Sequence, residues 1–164
     1  GRAPNLDAAI ETSAALIGIE SKRCEPFRDT KRAAFRDTYW RPVWGDAMGP
    51  FEAMRDRLRD EPYLFKWLDA AQLVKHAFGL FAQGRRAGKR PWLHYLFAEP
   101  GTLKGRPIAQ ADKQAHRAEI AAFAQQVAGA EVGFAAASYR EWLSGDMEKA
   151  ASDHARRLFE RFAP

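Results

Sequence analysis

The sequence predicts an α/β domain, a mixed β-sheet flanked by α-helices, and three observations carry that prediction. Short segments of strand composition recur at the N-terminus, around residue 95 and around residue 135, and segments of helical period separate them. No internal repeat or low-complexity tract divides the chain, so residues 1–164 read as one domain. At 164 residues, with 46% hydrophobic and 12% aromatic content, the chain can build one full core.

Taken in order, Leu6 to Glu11 and Ala15 to Lys22 have strand composition, and the short Thr12-Ser13 connection suits an antiparallel hairpin. Residues 23 to 50 are charged and aromatic and are broken by Pro26, Pro42, Gly45, Gly49 and Pro50, which predicts a long loop with a turn of helix near Thr30 to Asp37. Phe51 to Arg59 reads as a helix opened by Pro50, with Phe51, Met54 and Leu58 on one face. Pro62 interrupts it. From Leu64 to Phe81, Leu64, Trp67, Leu68, Ala71, Val74, Phe78 and Phe81 keep helical spacing, while Leu73, Ala77 and Leu80 make the other side apolar, the signature of a largely buried helix.

Gly84 to Pro91 is expected to end that helix as a basic loop, followed by an interior strand over Trp92 to Ala98 and a loop over Glu99 to Pro107. Ile120, Phe123, Ala124 and Val127 mark a helix over 111 to 128, Val132 to Ser138 a strand of small residues, and 147 to 162 a last amphipathic helix.

Twenty-six Lys+Arg against 21 Asp+Glu give a formal charge of +5, which makes a polyanionic partner plausible without naming one. A single cysteine, Cys24, excludes an internal disulfide framework and a Cys-rich zinc site, and it reads as structural because no base is paired with it. His94, His116 and His154 are scattered without zinc-ligand spacing. No apolar run approaches the ~20 residues needed to cross a bilayer, so the expected setting is cytoplasmic and away from membranes.

The chemistry concentrates in the N-terminal hairpin. Side chains alternate along a strand, which puts Asp7, Ala9 and Glu11 on one face and, on the partner strand, Leu16, Gly18, Glu20 and Lys22 on one face. Asp7 and Glu20 lie about equally far from the turn, so pairing is expected to set them side by side. Two carboxylates and the Ser21 carbonyl make a hard oxygen pocket suited to magnesium or manganese, with Lys22 beside the attacking water. Glu11 shares the face expected for Asp7 and is a candidate for a second ion. A strand end carrying ordinary solvent-facing charges would read the same way.

Pro4-Asn5-Leu6-Asp7 followed by Ile17-Gly18-Ile19-Glu20-Ser21-Lys22 resembles the PD-(D/E)XK nuclease superfamily. Residues 6–27, 68–80 and 93–100 look more narrowly like bacterial proteins classed as restriction endonucleases. The resemblance implies a restriction-endonuclease-like fold and a metal-dependent hydrolase acting on phosphodiester bonds, with DNA as partner. It assigns Asp7 and Glu20 to metal binding and Lys22 to assisting the attacking water. Gln72 and His76, four apart on one helical face, resemble the Gln-x-x-x-Tyr element of the exonuclease branch, with His76 where tyrosine would stand. That superfamily's core runs helix, three strands, helix, strand. Only six residues precede Asp7 here, so the expectation is a fragment of a longer chain, the alternative being that later elements complete the sheet.

Arg85, Arg86, Lys89 and Arg90 are expected to form a basic loop flanking the site and tracking a phosphate backbone, although a solvated turn has the same composition. Arg23, Arg28, Lys31, Arg32, Arg36 and Arg41 interleave with Phe27, Phe35, Tyr39 and Trp40, a mixture suited either to nucleic-acid contact or to packing a loop on the core. The competing functional class is a non-catalytic nucleic-acid-binding or structural domain that keeps the nuclease fold. Oligomeric state is not encoded in any of these features, and a homodimer is compatible with them.

Overall fold

The computed structural model describes residues 5–28 and 32–162. Strand β1 (Ala8–Glu11) pairs antiparallel with β2 (Ala15–Lys22), as the hairpin reading expects. The Thr12 hydroxyl accepts from Ala15 N at 2.9 Å and fastens the turn. Three single 3₁₀ turns, Glu25–Phe27, Asp37–Trp40 and Asp46–Met48, punctuate the following loop. Of the helical turn expected near Thr30 to Asp37, residues 29–31 lie outside the described ones and 32–36 are not helical.

Helix α1 (Gly49–Asp60) follows, with Phe51, Met54 and Leu58 buried on the expected face. Helix α2 is Ala70–Ala87, shifted towards the C-terminus from the predicted 64 to 81. Two polar groups set its start. The Glu119 carboxylate accepts the backbone N–H groups of Lys66, Trp67 and Leu68, each at 2.8 Å, which binds those donors outside any helix. Asp69 then caps α2 by accepting Gln72 N at 3.0 Å. At the other end Gly88, with φ 64°, stops the helix in the left-handed conformation that glycine adopts without steric cost. Arg85 and Arg86 therefore belong to the last turn of α2 rather than to a loop, and Arg90 opens the next strand.

Strand β3 (Arg90–Phe97) lies parallel to β2, and β6 (Gly133–Ser138) parallel to β3, giving the sheet order β1-β2-β3-β6. Between them the predicted loop contains a two-residue hairpin, β4 (Thr102–Leu103) and β5 (Arg106–Pro107), turned by Lys104 and Gly105 with φ 50° and 76°. Helix α3 (Gln110–Gln126) then returns the chain to β6. Beyond β6 a short helix α4 (Tyr139–Trp142) and a π-turn (Leu143–Met147) run into α5 (Glu148–Phe162), so helical structure begins eight residues earlier than the 147 to 162 expected.

The protein is thus a mixed α/β fold whose mixed sheet is flanked by helices. Helix α2 crosses β2 and β3, α1 packs on α2, and α3 reaches both α1 and β6. Their apolar faces meet Leu16, Leu93, Tyr95 and Phe97 of the sheet in one core around Phe51, Phe78 and Phe123. Gly18 marks the closest approach of α2, since a Cβ there would stand 2.7 Å from a Leu80 methyl. The aromatics of the long loop pack on this core. Trp44 stacks on Phe78 at 4.4 Å, Tyr39 stacks on it at 6.2 Å, and Phe35 makes edge contacts with Tyr39 and Trp40. Among the described residues no helix is long and apolar enough to cross a membrane.

Candidate functional site

β2, β3 and β6 are parallel, so their carboxyl ends, Lys22, Phe97 and Ser138, lie at one edge of the sheet. In open α/β sheets this edge is where ligands ordinarily bind. Glu20 stands on the face of β2 that packs under α2 and is 2% exposed. Its Oε1 lies 2.5 Å from Lys22 Nζ, the contact expected of residues two apart on one strand face. Its Oε2 lies 2.9 Å from Nε2 of His76, which α2 delivers from above and which is also 2% exposed. The second pair is close but not aligned as a hydrogen bond, so both atoms are buried polar groups without a hydrogen-bond partner. Burial alone raises the Glu20 carboxyl pKa, yet His76 and Lys22 outweigh it and hold the group below its ordinary range.

Asp7 reaches the same strand end by a different route from the one expected. Its N–H donates to Ile19 O at 3.0 Å although Ile19 is already the partner of Ala8, so two residues of β1's side face one of β2 and the strand bulges. The bulge puts Leu6 on the α2 side, within 2.5 Å of where a Gly18 Cβ would stand. Simple alternation, with Asp7 on the Glu20 face, therefore fails. The Asp7 carboxylate instead accepts Ser21 N at 2.8 Å and lies against the Glu20–Ser21 peptide. Lys22 O accepts Ala98 N on the β3 side, so the Ser21 carbonyl, alternating with it, points to the side of Asp7.

Other predicted residues are dispersed. Glu11 pairs with Lys89 at 2.5 Å near the amino ends of β2 and β3, far from Glu20, which corrects its expected place near a second ion. Gln72 is one turn before His76 on α2 and half-buried. The stretch Arg85, Arg86, Lys89 and Arg90 also sits at the amino ends, because Arg90 is level with Ala15 whereas Phe97 is level with Lys22. It does not flank the site.

The structure also brings in residues that local sequence pattern does not reveal. Tyr95, beside Glu20 on β3, is 2% exposed and hydrogen-bonds His116 Nε2 at 3.1 Å; burial drives its phenol pKa up. The Tyr139 hydroxyl hydrogen-bonds Ser21 Oγ across 118 positions of chain. Tyr139 is held by a capping box in which Ser138 Oγ accepts Glu141 N and the Glu141 carboxylate accepts Ser138 N. That N–H and the guanidinium of Arg117 bring the Glu141 carboxyl down to about 2. Arg117 also binds both oxygens of Glu99 at 2.7 Å.

No family model, curated protein or solved structure matches the chain. Among the described residues no group of three or more His, Cys, Asp and Glu side chains is gathered as a metal cage. What stands at the sheet edge is a smaller set, two carboxylates, a lysine, a histidine and a backbone carbonyl.

A small recess opens beside it, lined by Lys22, Glu25, Lys66, Trp67, Asp69 and Tyr95.

Proposed function

We propose that the protein is a metal-dependent nuclease that hydrolyses phosphodiester bonds of DNA. The observation that supports this best is the buried Glu20 carboxylate, held between Lys22 and His76 with Asp7 against the adjoining peptide, at the carboxyl edge of the parallel strands. A buried charge network at a ligand-binding edge is more readily explained by chemistry than by stability, since ion pairs of this kind contribute little net stabilisation. The order of an antiparallel strand pair, a covering helix and a parallel strand also agrees with the later part of the superfamily core that the motif resembles.

The oxygens at this strand end are of the kind that a hard divalent ion takes. Glu20 Oε2 is buried without an aligned hydrogen bond, the Asp7 carboxylate is a second anion, and the Ser21 carbonyl faces Asp7. Magnesium needs only one or two carboxylates because water and phosphate complete its shell, so a cage of three is not required. Bound there, the ion would neutralise phosphate charge and make water a better nucleophile.

The chain's own groups do the rest. His76 lies against one oxygen of Glu20, and Lys22 pairs with the other. The Lys22 ammonium donates to the phosphate as its negative charge grows and keeps the attacking water in line. Water adds to phosphorus and gives up one proton to solvent, one P–O ester bond breaks, and the departing oxygen takes up a proton from solvent.

Two measurements test this. Manganese titration of the parent is expected to saturate, and Asp7→Asn or Glu20→Gln to abolish binding with the circular dichroism spectrum unchanged. Unaltered affinity in both variants rejects the ion site. Cleavage of labelled DNA with magnesium or manganese, beside an EDTA control, is expected to fall on the order of a hundredfold in Lys22→Ala while metal affinity is kept. A parent that binds DNA but cuts none of it favours the non-catalytic reading.

A further inference from the structure

The recess beside Lys22 does not end at Trp67. Trp67 also lines a second, wider pocket of about 550 Å³, with Phe27, Leu103, Lys104, Arg106 and Asp112. Trp67 is common to both linings, which extend to Lys22 in one recess and to the β4–β5 hairpin in the other, and the pair defines the groove. Its cations are available. Lys66, Lys104 and Arg106 are exposed and make no ion pair among the described residues, and the left-handed turn at Lys104-Gly105 holds two of them on either side of the hairpin tip. Of the acids along the groove, Glu25 is engaged by the N–H groups of Arg23 and Cys24, and Asp69 by Gln72 N. Asp112 stands open.

Trp67 is half-buried, and its position is fixed from behind by Glu119, which grips its N–H and those of its two neighbours. Phe27 leans on the ring at 5.9 Å, and Lys66 Nζ lies over it at 4.1 Å. A mobile cation on an aromatic face is displaced by a better π partner and remains at hand to meet the phosphate that accompanies it. A rigid indole in a basic groove accepts the face of an unstacked base, which a duplex does not offer because its bases show only their edges.

We infer that this groove binds single-stranded DNA, with Trp67 as the base-stacking platform and Lys66, Lys104 and Arg106 as phosphate contacts leading the strand to Lys22. The inference rests on the nuclease reading for its direction, but its test does not need cleavage. Fluorescence anisotropy with labelled oligo(dT) and with a hairpin duplex, in EDTA, reads binding alone.

The parent is expected to bind the single strand more tightly than the duplex. Trp67→Ala is expected to weaken single-strand binding by about tenfold or more and Trp67→Phe to restore part of it. Lys104→Gln with Arg106→Gln, both at exposed positions, should flatten the salt dependence by roughly 1.4 in the log–log slope, the value for two lost phosphate contacts on a single strand. A parent that does not bind oligo(dT), a preference for duplex, or a salt slope unchanged in the double variant overturns the groove. The double variant decides the matter if Trp67→Ala fails to fold. Intact binding with no cleavage by the parent would reject the nuclease reading and leave the groove standing; cleavage with no effect of the groove variants would do the reverse.

Discussion

At Glu20 a carboxylate with 2% exposure is tolerable only because Lys22 and His76 answer its charge. Replacing His76 by Ala removes one of the two and leaves the anion buried. Urea unfolding is expected to show a loss of about 1 to 3 kcal/mol, and a variant as stable as the parent would mean the contact carries no weight. A second buried histidine gives a pH signature. His116 is fully buried against Tyr95, Phe27 and Phe97, and burial brings its pKa from 6.5 down to about 4. Between those values the unfolded chain binds the proton more readily than the folded one. The stabilisation from the neutral ring is therefore whole above pH 6.5, declines as pH falls towards 4 and levels off below it. The urea midpoint should trace that decline, and His116→Phe should flatten it. Much of this scale was readable from the residues alone. Glu20 and Lys22 share a face because they are two apart, and His76 was visible as a helical neighbour of Gln72. Asp7 was misplaced because alternation assumes a regular strand, and the bulge at Asp7-Ala8 breaks it. Tyr139 carried no local signal, being 118 positions from the serine it meets.

At the level of elements, periodicity located every long helix and strand but misjudged where α2 begins. Leu64, Trp67 and Leu68 keep helical spacing, yet the backbone N–H groups of Lys66, Trp67 and Leu68 all go to Glu119 on α3, and the helix begins only after Asp69. A carboxylate arriving from a distant helix is invisible to any local window. Glu119→Ala would leave those donors without an acceptor. The expected cost is about 2 to 3 kcal/mol, with hydrogen exchange accelerated first at Lys66, Trp67 and Leu68. If exchange there matches the parent while the rest of the protein loosens, Glu119 is not what holds the segment. The two-residue hairpin at Lys104-Gly105 and the early start of helical structure at Tyr139 were likewise missed. One depends on two positive φ angles, the other on a reciprocal cap between Ser138 and Glu141.

For the molecule as a whole, strand polarity separates two basic regions that the linear sequence makes look alike. β2 rises about 23 Å from Ala15 to Lys22 at ~3.3 Å per residue, and Arg85, Arg86, Lys89 and Arg90 belong to the Ala15 end. On the proposed nuclease reading, neutralising those four should leave the binding of an oligonucleotide too short to cover that distance unchanged, and weaken only longer DNA. Equal losses on short and long DNA would contradict this geometry. The same architecture bears on how the candidate site assembles. β1 and β2 are neighbours in sequence and can pair early, but the groups that complete the site arrive from far along the chain, His76 on α2, Tyr95 on β3 and Tyr139 at the end of β6. Closing such distant contacts is slow and comes after local structure. During refolding the far-ultraviolet signal should therefore recover before the competence to bind metal, and a partly folded population would carry most of the helix content while remaining inert.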